Sequence, residues 1–192
     1  MPEPASGQVA VSIYLPLCHH IRQATTSDYE ALVDLERRAF IELGAAFYPL
    51  EDIECALNHF EGLSLSLIKE GHYFVLTDVQ ERILAAGGWT LSELEYIPSG
   101  NDVSAGQAGV VRCIYVAPQY ARMGFAQKML HCIEMDARSV DICQLTLTAS
   151  KTAEALYLRA GYLPGPYHNV RLPNGHDLPL RSMKKTLASK TT

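Results

Sequence analysis

Between Gln119 and Ala126 the chain sets Arg122, Gly124 and small neighbours directly between a strand-forming run and a helix-forming run. That arrangement suits an anion. The first amides of a helix lack intrahelical acceptors and sit at the positive end of the helix dipole, so they point at whatever occupies the preceding turn. Gly124 allows close backbone approach and Arg122 adds a mobile cation. The chemistry implied is a pyrophosphate cradle. Any strand–helix unit can carry a glycine in its connection, so the loop alone leaves that reading open.

The flanking elements follow from composition and period. Val110–Val116, VVRCIYV, is β-branched and aromatic, which describes a largely buried strand, and Pro118 ends it. Ala126, Met129, Leu130, Ile133 and Ala137 share one face of the helix that follows. A second chemistry-bearing stretch, Ser150–Tyr162, opens with a helix over Ser150–Ala160 that puts Tyr157 on the same face as Ala153, Leu156 and Ala160. On periodicity alone Tyr157 is a core aromatic whose hydroxyl finds a partner. Ser150 is equally a helix cap or a ligand contact.

The segment VRCIYVAPQYARMGFAQKML resembles the acetyl-CoA signature of the GNAT superfamily of N-acetyltransferases. There a strand ending in Val-x-Pro leads to a (Gln/Arg)-x-x-Gly-x-(Gly/Ala) loop and a helix. Gly124 and Ala126 fill its last two positions, while Ala121 stands where Gln or Arg is usual and removes one side chain from the loop. Ser150–Tyr162 resembles the family's Asn-x-x-Ala-x-x-x-Tyr-x-x-x-Gly-(Phe/Tyr) element, with Ser150 replacing Asn. The resemblance spans Ile21 to Leu187 in element order, and its diagnostic residues lie between Val110 and Tyr162.

The resemblance implies a mixed α/β fold, with a central, mostly antiparallel sheet of six to seven strands and about four flanking helices. It also implies acetyl-CoA as co-substrate, held by Ile114, Tyr115, Val116, Arg122, Met123, Gly124, Phe125, Ala126, Ser150 and Ala153. The family's central strand is bulged and splays from its neighbour, here the Asp141–Thr148 run, leaving main-chain groups free for pantetheine. Tyr157 matches the tyrosine that protonates the leaving thiolate.

Acetyl transfer sets its own requirements. An alkyl amine with a pKa of about 10.4 must lose a proton before it attacks a thioester. The negative charge then gathering on the thioester oxygen needs a donor, for which the amides of Ile114 and Val116 are candidates. The base is not identified. Glu93, Glu95, His72, His168 and a water chain all qualify, and the central strand offers Val110, Arg112 and Ile114 along one face with no carboxylate. Arg112 is equally a partner in an ion pair within the sheet, and Trp89 reads as a core or pocket-wall residue.

Composition bounds the rest. The 192 residues, 48% hydrophobic and 19% charged, suffice for one domain with a proper core, expected over 19–188 after an N-terminal extension at 1–18. A net charge of -5 argues against nucleic acid and mildly favours a cationic substrate. Five cysteines without a Cys-x-x-Cys pair read as reduced thiols of a cytoplasmic protein. No apolar run reaches membrane-spanning length, Met1–Cys18 has no basic region typical of a signal peptide, and adjacent His19 and His20 point apart, so neither membrane nor metal is expected.

Earlier elements are read from the same rules. His20–Ala24 is a strand, and Ser27 with Glu30 forms a capping box opening a helix to about Leu43, striped by Leu32, Leu35, Ala39 and Leu43. A second helix runs from about Leu50 to Leu65, and Glu36, Glu42, Glu51, Asp52 and Glu54 either form solvated faces or attract a cationic amine. Strands follow at His72–Thr77 and Arg82–Leu91, the latter interrupted by Gly87 and Gly88, which signals a bulge or close backbone approach. Pro98–Asp102 is a surface loop, and Pro173-Asn174-Gly175 turns a hairpin between Tyr167–Leu172 and Leu178–Lys184. The expected activity is acetyl transfer to a primary amine of a small molecule or peptide, with a homodimer left open. The alternatives are a catalytically inactive CoA-binding regulatory module and a structural α/β protein that matches both motifs by chance.

Overall fold

Short runs rich in Val, Ile, Leu and Tyr become strands β1 (His19–Gln23), β2 (Tyr73–Asp78), β3 (Ile83–Leu91), β4 (Ala108–Val116), β5 (Gln144–Ala149), β6 (Leu163–Arg171) and β7 (Asp177–Thr186). Helices α1 (Tyr29–Gly44), α2 (Leu50–His59), α3 (Leu65–Lys69), α4 (Phe125–Ser139) and α5 (Lys151–Arg159) lie between them. These come from a computed structural model that describes residues 19–60, 62–91 and 108–187. The expected extension at 1–18, the loop at Pro98–Asp102 and the candidate bases Glu93 and Glu95 fall outside those residues.

The strands form one sheet in the order β1-β2-β3-β4-β5-β7-β6, antiparallel throughout except for β4 against β5. The α4 stripe of Phe125, Met129, Leu130, Ile133 and Ala137 packs on one face, joined by Tyr157 of α5. Phe125 takes the buried place expected of Ala126, which is only partly covered. Leu32 and Leu35 of α1 and Leu67 and Ile68 of α3 cover the opposite face over Tyr73, Val75 and Ala86. No helix among the described residues is long and apolar enough to cross a membrane.

Several boundaries differ from the sequence reading for local reasons. In place of the expected Ser27/Glu30 box, a Thr25/Asp28 capping box opens a 3-10 turn at Thr26–Asp28 that leads into α1, because the Asp28 carboxylate accepts the Thr25 amide at 2.8 Å while Arg22 holds it from β1. The expected Leu50–Leu65 helix stops at His59, and a separate helix, α3, begins at Leu65. Phe60 turns extended, Gly62 lies so close to Glu36 that a Cβ would fall 1.9 Å from its Oε1, and Ser64 caps a new start at Leu65. This raises the helix count to five. The strand expected from Asp141 begins only at Gln144, since Asp141 adopts φ 62° and the Ile142 amide bonds back to Ala137. At the far edge β6 starts at Leu163 and tolerates Pro164 and Pro166, as an outer strand can. The Asn174-Gly175 hairpin forms as expected, with Gly175 at φ 88°.

Candidate functional site

The site begins with β4 and the two glycines facing it. Ala86 pairs with Tyr115 and Gly88 with Arg112, so Cys113 and Ile114 together oppose the single residue Gly87. This is a β-bulge. A Cβ on Gly87 would lie 2.8 Å from the Ile114 side chain, and one on Gly88 would lie 2.5 Å from the His72 carbonyl oxygen. The glycine pair therefore admits both the bulge and the close approach. Cys113 carries a left-handed φ of 51°, a conformation that costs a side-chain-bearing residue about 1–2 kcal/mol.

The bulge turns β4 away from its other neighbour. Pairing with β5 covers only Ala108, Gly109 and Val110, opposite Gln144, Leu145 and Thr146, after which the two strands part. The Ala117 amide bonds to Leu84 on β3 at 2.9 Å. Strand alternation therefore turns the Val116 amide to the opposite edge, into the opening. Ile114 and Val116 put their side chains toward α4, whereas Cys113 and Tyr115 face α1. The Tyr115 backbone therefore borders the opening, and its ring lies on the α1 side of the strand.

At the end of β4 the chain makes a 3-10 turn at Pro118–Tyr120 and enters the loop. Arg122 at φ 64° and Gly124 at φ 82° are both left-handed. The first intrahelical bond of α4 runs from Lys128 to Gly124, so the amides of Phe125, Ala126 and Gln127 precede it and face outward. Arg122, Met123 and Gly124 are exposed, and a Cβ on Gly124 would meet nothing within 4 Å. Phe125 is buried between Tyr120 and His19 and anchors the helix start, so only its amide is available to a ligand. Open space, outward amides and an exposed guanidinium are the features a diphosphate needs.

Across the opening, α5 starts at Ser150, whose backbone is extended but whose side chain makes no capping hydrogen bond. The Lys151 amide is bonded instead by the Tyr48 hydroxyl at 2.7 Å, from the α1–α2 connection. Ala153 lies in the first turn with its amide on the Ser150 carbonyl. Tyr157, one turn further, is 7% exposed and meets Tyr162 edge-on at 5.6 Å. Burial, with a smaller push from Cys113, raises its phenol above the ordinary tyrosine range. It stays protonated at neutral pH, as a proton donor must.

A further group lies on the α1 side of the bulge. The Tyr115 hydroxyl donates to Glu36 Oε1 at 2.5 Å, and the Leu63 amide donates to Glu36 Oε2 at 3.3 Å. Tyr73 donates to the Cys113 carbonyl at 2.8 Å and holds the bulge from beneath. Burial raises the Tyr115 phenol far above its ordinary range and pushes the Cys113 thiol up to about 11. Glu36 appeared in the sequence only as one of several acidic helix residues; its contact is made by residues 27 and 79 positions away.

Other sequence candidates are engaged elsewhere. His72 Nδ1 and Trp89 Nε1 share Asp136 Oδ2, each at 2.7 Å, and the two rings lie 4.4 Å apart. Trp89 is fully buried in the core. His168 is on β6, where its Nε2 is buried without a partner. Arg112 is exposed and makes no ion pair among the described residues. The fold also gathers Glu51, Asp52 and His176 with ligand atoms within 4.8 Å, a grouping that sequence spacing does not reveal. Asp52 there receives Asn174 at 2.8 Å and meets His176 at 2.7 Å, tying α2 to the hairpin turn. A groove of about 1020 Å³ runs from Gly124 along the flank of α4 past Lys128, His131 and Met135 toward Ile21 and Phe74. It lies on the β1–β2 side of that helix and is distinct from the opening between β4 and β5.

Comparison with known proteins bears on the family and the fold. The acetyltransferase (GNAT) domain family matches residues 67–165. Among solved structures, the PaiA N-acetyltransferase of Thermoplasma acidophilum in complex with coenzyme A is 14% identical, with 88% of this chain and 99% of that chain covered and a TM-score of 0.62. A phosphinothricin acetyltransferase from Sinorhizobium meliloti in complex with AcCoA is 16% identical over 91% of each chain, TM-score 0.62. The ribosomal-protein-S18-alanine N-acetyltransferase of Escherichia coli is 18% identical, with 91% and 99% covered, TM-score 0.58. At these identities the likeness is one of fold. A comparison with curated proteins finds no match.

Proposed function

The chain belongs to the GNAT acetyltransferase family and is an acyltransferase, and from that premise we propose that it moves an acetyl group from acetyl-CoA to a primary amine by direct attack, with both substrates bound. Residues 19–188 act as one domain in this reading. Its main support is the parting of β4 from β5 after Val110, with outward amides at one end of the opening and Tyr157 across it. The bound co-substrate supplies an activated acetyl thioester.

The chain's own groups do the rest. The amides of Phe125 and Ala126, with the loop from Arg122 through Met123 and Gly124, hold the diphosphate. The backbone of Ile114, Tyr115 and Val116 lines the pantetheine channel opposite Ser150 and Ala153. The Val116 amide, turned into the opening, donates to the carbonyl oxygen as charge gathers there. Tyr157 gives its proton to the departing sulfur, a transfer suited to a phenol that burial keeps protonated. A thiol pushed up to about 11 is almost wholly uncharged at neutral pH, which makes Cys113 a poor nucleophile and favours direct attack over an acetyl-cysteine route.

The named relatives include an enzyme for a protein alanine and one for phosphinothricin, so small-molecule and peptide amines are both carried forward as acceptors. Cys55, Cys113, Cys132 and Cys143 form no disulfide among the described residues, which fits a cytoplasmic enzyme. The test is release of CoA thiol from acetyl-CoA across a panel of alkyl amines, amino acids and peptide N-termini. Turnover on one class supports the reading and identifies the acceptor. A silent panel in a protein that coenzyme A stabilises against heat would replace it with the CoA-binding regulatory module.

A further inference from the structure

The reaction needs a group that takes the acceptor's proton, and the central strand carries no carboxylate. Two observations point elsewhere. The Tyr115 hydroxyl, on the α1 face of β4, is bonded to Glu36 Oε1 at 2.5 Å. Glu36 itself is half-buried and held: its second oxygen receives the Leu63 amide at 3.3 Å, and Gly62 approaches so closely that a Cβ there would meet its Oε1. The Phe40 ring packs against that of Tyr115 at a tilt of 55°, with centroids 5.8 Å apart. The pair lies next to the bulge, where Cys113 takes an unfavourable φ and β4 has already left β5. A strained strand residue beside a partly buried tyrosine–carboxylate pair, at the edge of a substrate opening, is a costly arrangement for a merely structural contact.

We propose that Tyr115 and Glu36 form a proton relay for the acceptor amine. The proposal rests on the acetyl-transfer reading and deepens it. The ammonium N–H bond breaks as its proton passes to the Tyr115 oxygen. The original phenolic proton moves in the same step to Glu36 Oε1, leaving a lone pair on nitrogen and a neutral carboxylic acid on α1. Glu36 then returns the proton to solvent. No phenolate is formed, which agrees with burial holding Tyr115 protonated. Tyr115 is the catalytic residue in contact with substrate, and Glu36 acts through it. Among the groups that face the pair, Cys113 on β4 acts on the Tyr115 phenol, Glu36 and Cys113 act on Tyr73 of β2, Arg112 acts on Cys113, and Cys113 in turn acts on Tyr157 of α5.

The experiment compares wild type with Glu36→Gln and Tyr115→Phe, on the best primary alkylamine from the panel and on hydroxylamine, which is unprotonated at neutral pH. Gln still accepts the Leu63 amide, and Phe still fills the space against Phe40. Stabilisation by coenzyme A should be the same in all three, which reports an intact fold and donor site. On the alkylamine each variant should lose about 100-fold or more in kcat near neutral pH and recover as the pH rises toward the amine's own pKa. On hydroxylamine the loss should be a few-fold. A variant pH profile parallel to that of wild type, or equal losses on both nucleophiles, would overturn the relay. Wild type inactive on every amine would instead overturn the acetyl-transfer reading beneath it.

Discussion

Between Arg122 and Ala126 the candidate site is made of backbone, whereas around Cys113, Tyr115 and Tyr157 it is made of side chains. The loop offers amides and two left-handed residues in open space, and its only buried side chain, Phe125, faces the core. The bulge offers a phenol shielded from water, a thiol and a tyrosine–carboxylate pair, each placed by an element distant in sequence. The difference teaches a division of labour. Main-chain donors suit a ligand recognised by charge and shape, while proton transfer needs side chains whose ionisation the surroundings can adjust.

The division can be broken most readily at Tyr157. Tyr157→Phe should lower kcat by about 100-fold or more and leave coenzyme A affinity nearly unchanged, as steady-state kinetics and calorimetry would show. A loss of affinity instead would move Tyr157 into the binding half. Gly124→Val should do the converse. It forces a β-branched residue to φ 82° at a cost of about 1–3 kcal/mol, so coenzyme A binding weakens by roughly tenfold or more. Because a side chain there meets nothing within 4 Å, the melting temperature without ligand should fall by that backbone strain alone, with no added clash.

A third variant acts on what the two halves share. Gly88→Ala would push a methyl into the His72 carbonyl and Tyr73, costing about 1–3 kcal/mol in a thermal melt and disturbing binding and turnover together. The smallest effect sharpens the comparison from outside it. Arg22 holds the Asp28 carboxyl down to about 2, so that pair contributes stability above the ordinary carboxylate range and loses it as the pH falls through 2. Asp28→Asn should cost about 1 kcal/mol at neutral pH, once solvent screening of the partly exposed guanidinium is allowed for, and progressively less in melts approaching pH 2. Neither cofactor affinity nor turnover should follow it.

Legibility in the sequence divides along the same line. The α4 stripe, the β4 run, the glycine pair opposite it and the Asn174-Gly175 hairpin were readable because each depends on local period or on backbone freedom within a few residues. Element ends were less so. Asp28 displaced Ser27 and Glu30 as the capping pair because Arg22, on a neighbouring strand, fixed its carboxylate. The second helix stopped at His59 because the next turn packs against Glu36 on α1. His72 looked available until α4 supplied Asp136.

The amino-acid order by itself determined the strand, glycine loop and helix that make an anion cradle, since those follow from dihedral preference, helix polarity and hydrophobic spacing. It also determined that Tyr157 would face inward. Only the tertiary structure decided that β4 parts from β5 after three paired residues, and that Glu36 meets Tyr115 across 79 positions. A register shift and a side-chain contact between distant segments are set by how whole elements pack, and no local pattern of residues encodes that geometry.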